Sequence, residues 1–102
     1  MSIDPMRLDA VMSERVARNL VVHGRVQGVF FRAFVREQAQ RHGVAGLAVN
    51  CDDGTVAVHL EGPADAVAAV ESACATGPRR AEVVRLEAAD AAAEGMTGFA
   101  TG

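Results

Sequence analysis

The chain has 102 residues, half of them hydrophobic and 23% charged, which is room for one domain with a small core and none for a separate cofactor domain. All ten basic residues are arginine, set against thirteen acids, and the resulting net charge of −3 argues against a general binder of nucleic acid or anionic membranes. With no lysine present, Schiff-base chemistry, a P-loop lysine and pyridoxal phosphate attachment are excluded. Any anion site must therefore be built from guanidinium groups or main-chain N–H.

Residues 1–15 mix Asp4, Pro5, Arg7, Asp9, Glu14 and Arg15 with scattered apolar residues and read as a flexible tail, leaving residues 16–102 as a single domain. Leu20-Val21-Val22 is a short apolar run ending at Gly24 and reads as a strand. Gly24 to Gly28 forms a compact two-glycine loop. Phe31, Phe34, Val35, Gln38 and Ala39 then recur at helical spacing, with Arg32, Arg36, Glu37 and Arg41 on the other faces, and His42-Gly43 closes the helix. The run Val44–Cys51, the turn Asp52-Asp53-Gly54 and the run Thr55–Glu61 make a hairpin signal. Val56, Val58 and Leu60 alternate with Thr55, Ala57, His59 and Glu61, so the second arm has one core face. Gly62-Pro63 opens a second helix, with Pro63 at its first position and Val67, Val70 and Cys74 as its apolar line; Gly77-Pro78 stops it. Val83–Ala88 is a fourth strand whose register Val83 and Val84 leave open. Residues 90–97 carry no readable pattern, and Gly98–Gly102 holds at most a stub of strand. The order strand, helix, hairpin, helix, strand fits an α+β two-layer sandwich of ferredoxin-like βαββαβ type, with an antiparallel sheet and two helices on one face. Such a topology hosts many functions.

The feature that carries chemistry is the glycine-bounded loop between a strand and a helix N-terminus, with Arg32 in the first helical turn. Consecutive N–H groups in such a loop curl into an anion nest, to which a helix start adds its unpaired donors and dipole. An arginine there offers a planar fork that suits phosphate oxygens. An ordinary strand-to-helix turn with a solvated arginine is the competing reading. The spacing is neither that of a Walker A loop nor of a dinucleotide fingerprint.

Gly24-Arg25-Val26-Gln27-Gly28-Val29-Phe30-Phe31-Arg32 resembles the acylphosphatase signature. Gly46-Leu47-Ala48-Val49-Asn50, Asp53-Gly54-Thr55-Val56, Glu61-Gly62, Gly77-Pro78 and Ala81-Glu82-Val83 resemble further blocks of that family, so the likeness spans roughly residues 18–88. It implies the ferredoxin-like fold and hydrolysis of carboxyl–phosphate anhydrides without metal or cofactor. It also implies that Arg32 binds the phosphate, that Asn50 orients the attacking water, and that Gln27, Gly28, Val29, Phe30, Phe31 and Arg32 form the phosphate-binding cradle. Two positions depart from the family: Leu47 stands where an aromatic is usual, and Val49 where a basic or amide residue is frequent. Chemistry agrees with the assignment. An acyl phosphate has a good carboxylate leaving group, so the protein need only hold the phosphoryl group, neutralise its oxygens and place a water in line. The neutral Asn50 carboxamide accepts and donates without repelling phosphate, although a strand-end asparagine also suits a following turn for purely structural reasons.

Other features are read as structural. Cys74 and Arg80 have the C-x5-R spacing of cysteine-dependent phosphatases, but the cysteine falls at a helix C-terminus rather than in a loop opening a helix. His23, His42 and His59 are scattered, and no metal site is expected. Cys51 and Cys74 lack metal or disulfide spacing and read as free thiols of a cytoplasmic protein. No run approaches a membrane span, and no signal-peptide core opens the chain. The expected partners are a small-molecule acyl phosphate and inorganic phosphate in the loop, with no nucleic acid, no membrane and a monomeric state. The rival function is a catalytically weak anion-binding module of the same fold.

Overall fold

Residues 14–102 are described by a computed structural model, in which the alternation read from the sequence becomes one sheet with two helices on a single face. In chain order the elements are β1 (Arg15–Arg25), α1 (Phe31–His42), β2 (Ala45–Asn50), β3 (Val56–Pro63), α2 (Ala64–Thr76), β4 (Glu82–Ala91) and β5 (Phe99–Thr101). The sheet runs β4-β1-β3-β2-β5. The four longer strands pair antiparallel, as a ferredoxin-like βαββαβ arrangement requires, while the short β5 joins β2 in parallel and makes the sheet mixed.

Leu20, Val22, Val56, Val58 and Leu60 face the helices and are buried. Phe31, Val35 and Ala39 of α1 and Val67, Val70 and Cys74 of α2 meet them, each set at the spacing of one helical stripe. The α1 stripe ends at Gly43, whose φ of 69° permits a Schellman closure: Val44 N–H donates to Ala39 O at 2.8 Å and Gly43 N–H to Gln40 O at 3.3 Å.

Several boundaries differ from the sequence reading. The expected tail over 1–15 lies outside the described residues as far as residue 13, but Arg15 already opens β1 and pairs with Pro63. Arg18 hides this first half of the strand, because it takes a core-facing position in the alternation and makes it acceptable by charge pairing. Its Nε lies 2.9 Å from Glu71 of α2 and its Nη1 2.8 Å from Asp90 of β4, contacts that raise its pKa further. Pro63 is the N-cap of α2 and the last residue of β3, with φ −56° and ψ 141°, rather than the first helical residue. In β4 the register shifts opposite His23/Gly24, where the pairing runs from Arg85 to Val83. This bulge turns Val84 outward and lets both Val83 and Leu86 pack on the core, which resolves the ambiguity of two adjacent valines.

Glu61 departs most from expectation, since it lies on the face opposite the helices yet is buried. β4 and β5 sit at opposite edges, so the chain between them must cross the whole sheet. Four strand spacings amount to about 19 Å, and the residues from 92 to 98 reach about 23 Å when extended, so the crossing is nearly taut. It passes over the row Ala17, Glu61 and Ala45, which are register partners and all buried. The Glu61 carboxylate accepts main-chain N–H bonds from Glu94 (2.6 Å), Gly95 (3.1 Å) and Met96 (3.2 Å). His59 adjoins it, its ring nitrogens 2.6 Å from Glu61 Oε2 and 2.6 Å from Asn19 Oδ1.

These donors, the Glu94 N–H first and His59 next, hold the Glu61 carboxyl down at about 2 from an ordinary value of 4.5. The stabilisation is therefore present above pH 4.5 and lost as pH falls toward about 2. Glu61→Gln is expected to be less stable than the parent at pH 7, the gap closing progressively between those two values; urea-unfolding midpoints across that pH series check it.

Candidate active site

Near the end of β1, Gly24 has a φ of 128° and a Cβ there would sit 2.0 Å from Glu82 O, so only glycine allows this close approach to β4 before the strand ends at Arg25. Val26 is buried, and the backbone then turns through Gln27–Phe30 into α1. Gly28 has φ 74°, and Phe30, the N-cap of α1, stands at φ 61° and ψ 28°. A left-handed phenylalanine costs about 1–2 kcal/mol, and Phe30 recovers none of it by burial, being 77% exposed.

Among the described residues no side chain caps α1, and no acid occupies its first turn, although Ser, Thr, Asp and Asn are the preferred N-cap residues. The first helical bond runs from Phe34 N–H to Phe30 O at 3.0 Å, so the N–H groups of Phe31, Arg32 and Ala33 precede it. These uncapped donors, with the positive end of the helix dipole, open onto a cleft of about 390 Å³. Gly28, Phe30, Phe31 and Arg32 form one wall of it, and Asn50, at the end of β2, lies on the other.

Behind the cleft, Gln27 joins the two walls. Its Nε2 donates to Cys51 O at 2.8 Å and to Thr55 O at 2.9 Å, both in the turn after Asn50. That turn is shaped by Asp53, whose carboxylate accepts the Thr55 hydroxyl at 2.6 Å and its N–H at 3.0 Å; these bonds, the hydroxyl first, lower the Asp53 pKa. β5 completes the rim. Thr101 lines the cleft, and the Arg32 guanidinium donates to the Gly102 carbonyl oxygen.

With this geometry in place, sequence comparison is decisive: the family model Acylphosphatase matches residues 18–101. The chain belongs to the acylphosphatase family. An acylphosphatase of Nocardioides sp. is 46% identical over 85 residues, 83% of this chain and 86% of the relative. One from Natronomonas pharaonis is 41% identical over 88 residues, 86% of this chain and 96% of the relative. The crystal structure of acylphosphatase from Bacillus subtilis matches with a TM-score of 0.82 at 33% identity, covering 84% of this chain and 97% of that one. The protein is thus an enzyme of the acylphosphatase family with the ferredoxin-like fold.

Of the residues implied by the family signature, Gly28, Phe30, Phe31, Arg32 and Asn50 meet at the cleft. The Val29 side chain packs on the core, and the Gln27 side chain is engaged with the hairpin, which leaves these two only their main-chain groups for the cradle. Sequence reasoning missed Arg36 and Thr101 as cleft residues. Arg36 was detectable, lying four positions after Arg32 on the same helical face; Thr101 was not, because a parallel pairing of three residues leaves no local pattern.

Cys74 is fully buried at the end of α2, where desolvation first and Glu71 next push its thiol up to about 12, so it cannot supply a thiolate nucleophile. His23 pairs with Glu87 at 2.7 Å, and neither it nor His59 lines the cleft. Among the described residues no helix is long and apolar enough to cross a membrane.

Replacing Gln27 by Ala removes both bonds between loop and hairpin while each carbonyl keeps a main-chain donor. Denaturant unfolding should show a loss of about 1–2 kcal/mol. Activity should fall more than that figure suggests, because the walls of the cleft are no longer tied.

Proposed function

We propose that the protein hydrolyses the carboxyl–phosphate bond of acyl phosphates to carboxylate and inorganic phosphate, with Arg32 and the main-chain cradle binding the phosphoryl group and Asn50 orienting water. The observation that carries this reading is the uncapped, acid-free start of α1, reached through a strained left-handed turn and facing Asn50 across one cleft.

The phosphoryl oxygens sit on the N–H groups of the loop and first helical turn, and Arg32 adds a permanent positive charge in fork geometry. Asn50 accepts a hydrogen bond from a water and holds it in line with the bond to be broken. As the water oxygen bonds to phosphorus, the bond from phosphorus to the acyl oxygen breaks and its electron pair leaves on the carboxylate. A carboxylate is stable without protonation, so no general acid is required. The proton of the water passes to a phosphoryl oxygen of the substrate itself, since no Asp, Glu or His among the described residues lines the cleft. Catalysis is then positioning and charge stabilisation by preorganised donors. Free Cys51 and Cys74 fit a cytoplasmic setting, and the net charge of −3 fits a small anionic substrate better than a nucleic acid.

Wild-type protein should turn over acetyl or benzoyl phosphate with no added metal and act little on a phosphate monoester. Phosphate binding without turnover would favour an anion-binding module instead. Asn50→Ala should lower kcat about 100-fold with inhibition by phosphate retained. Arg32→Ala should lose turnover and weaken phosphate inhibition at least about 10-fold; unchanged inhibition would sink the cradle assignment.

A further inference from the structure

We propose that Arg36 is a specificity residue of the cleft that recognises a carboxylate on the acyl group, favouring acyl phosphates of dicarboxylic acids. This rests on the assignment of the cleft to acyl phosphate hydrolysis.

Arg36 lies one turn after Arg32 on α1, about 6 Å further along the axis, and both side chains line the cleft. Helical side chains lean toward the helix N-terminus, so Arg36 runs back over the turn that carries Arg32 and the phosphoryl cradle. Like charges four residues apart destabilise a helix; Arg32 donates to Gly102 O, whereas Arg36 has no such side-chain bond among the described residues. Among the described residues Arg36 makes no ion pair, its neighbour Glu37 is taken by Arg41 at 3.0 Å, and neither Asp nor Glu lines the cleft. A second anion lying between the guanidinium groups removes that repulsion.

The phosphoryl group occupies the N–H groups at the helix start and Arg32. Phe30, Ala33 and Arg36 line the same cleft, so an acyl chain leaving the cradle has an apolar surface and a guanidinium within that cleft to meet. The exposed Phe30 ring gives the cleft an apolar surface for methylene groups, and the guanidinium fork of Arg36 matches a carboxylate with two parallel N–H donors. The fitted acyl group is a short chain with a carboxylate at its far end.

Succinyl phosphate and butyryl phosphate share a four-carbon chain and differ in that terminal carboxylate, so their kcat/KM ratio reads the proposal. The wild type should prefer succinyl phosphate, and Arg36→Gln should reduce the ratio about tenfold, mainly through KM. An equal fall on both substrates would assign Arg36 to the phosphoryl group or to general attraction of anions, and overturn the proposal. So would a ratio that Arg36→Gln leaves unchanged while both substrates are turned over. If the wild type hydrolyses neither substrate, the acyl phosphate reading itself fails and this proposal with it. Arg36 is exposed, so circular dichroism and thermal melting of the variant serve as the folding control.

Discussion

A cleft between the end of β1 and the end of β2 exists only if those two ends keep a fixed separation, and the sheet alone secures this poorly. β3 lies between them, so their relative position passes through two successive ladders, each free to twist. The Gln27 carboxamide shortens that path. One nitrogen at the base of the loop donates to two carbonyls of the hairpin turn, and so sets the distance between the helix start carrying Arg32 and the strand end carrying Asn50. Its carboxamide is neutral, so it makes this tie without adding a charge beside the anion cradle.

The third wall depends on a different constraint. β5 has only three residues and a parallel pairing, too little to define its position by itself, yet it brings Thr101 to the cleft and Gly102 O to Arg32. What locates it is the strap from β4, pinned midway by a buried carboxylate that takes three consecutive main-chain N–H groups. Glu61 thus serves a part of the site that it does not touch. Its burial is the cost of an arrangement in which a long edge-to-edge connection behaves as if it were a turn.

Much of the fold was legible because burial and periodicity coincide in it. The α1 stripe, the Asp-Gly hairpin and the Val56–Leu60 alternation appear in the structure on the faces the pattern assigns them. The illegible parts are those where a distant partner changes the meaning of a residue. Arg18 interrupts the apolar pattern ahead of Leu20 until Glu71 and Asp90 are brought beside it. Glu61 looks solvent-facing until the strap crosses it, and Val83-Val84 has two possible registers until a bulge accommodates both. At the site, the loop and Arg32 were conspicuous from local chemistry, whereas Asn50 stood out only through its resemblance to a family block. Arg36 had been assigned to the outer faces of α1 because helical spacing shows which residues share a stripe, not which stripe borders a cleft.

The distribution of arginines explains how an acidic chain maintains a cationic pocket. Arg18 is matched to Glu71 and Asp90, Arg41 to Glu37, and Arg85 lies 3.8 Å from Glu87, all away from the cleft. These acids are thereby committed to framework, and among the described residues the cleft is lined by two guanidinium groups and a helix start, with no Asp or Glu. Net charge acts over distances that salt screens within about 8–10 Å, whereas a phosphoryl group in the cradle meets its donors directly. Under the proposed function the local excess decides what binds, while the overall negative charge disfavours larger polyanions. Using arginine alone strengthens the effect, because a guanidinium keeps its charge when partly desolvated, as a lysine ammonium does less readily. The small anionic substrate proposed for the cleft is favoured by this arrangement over an extended anionic surface.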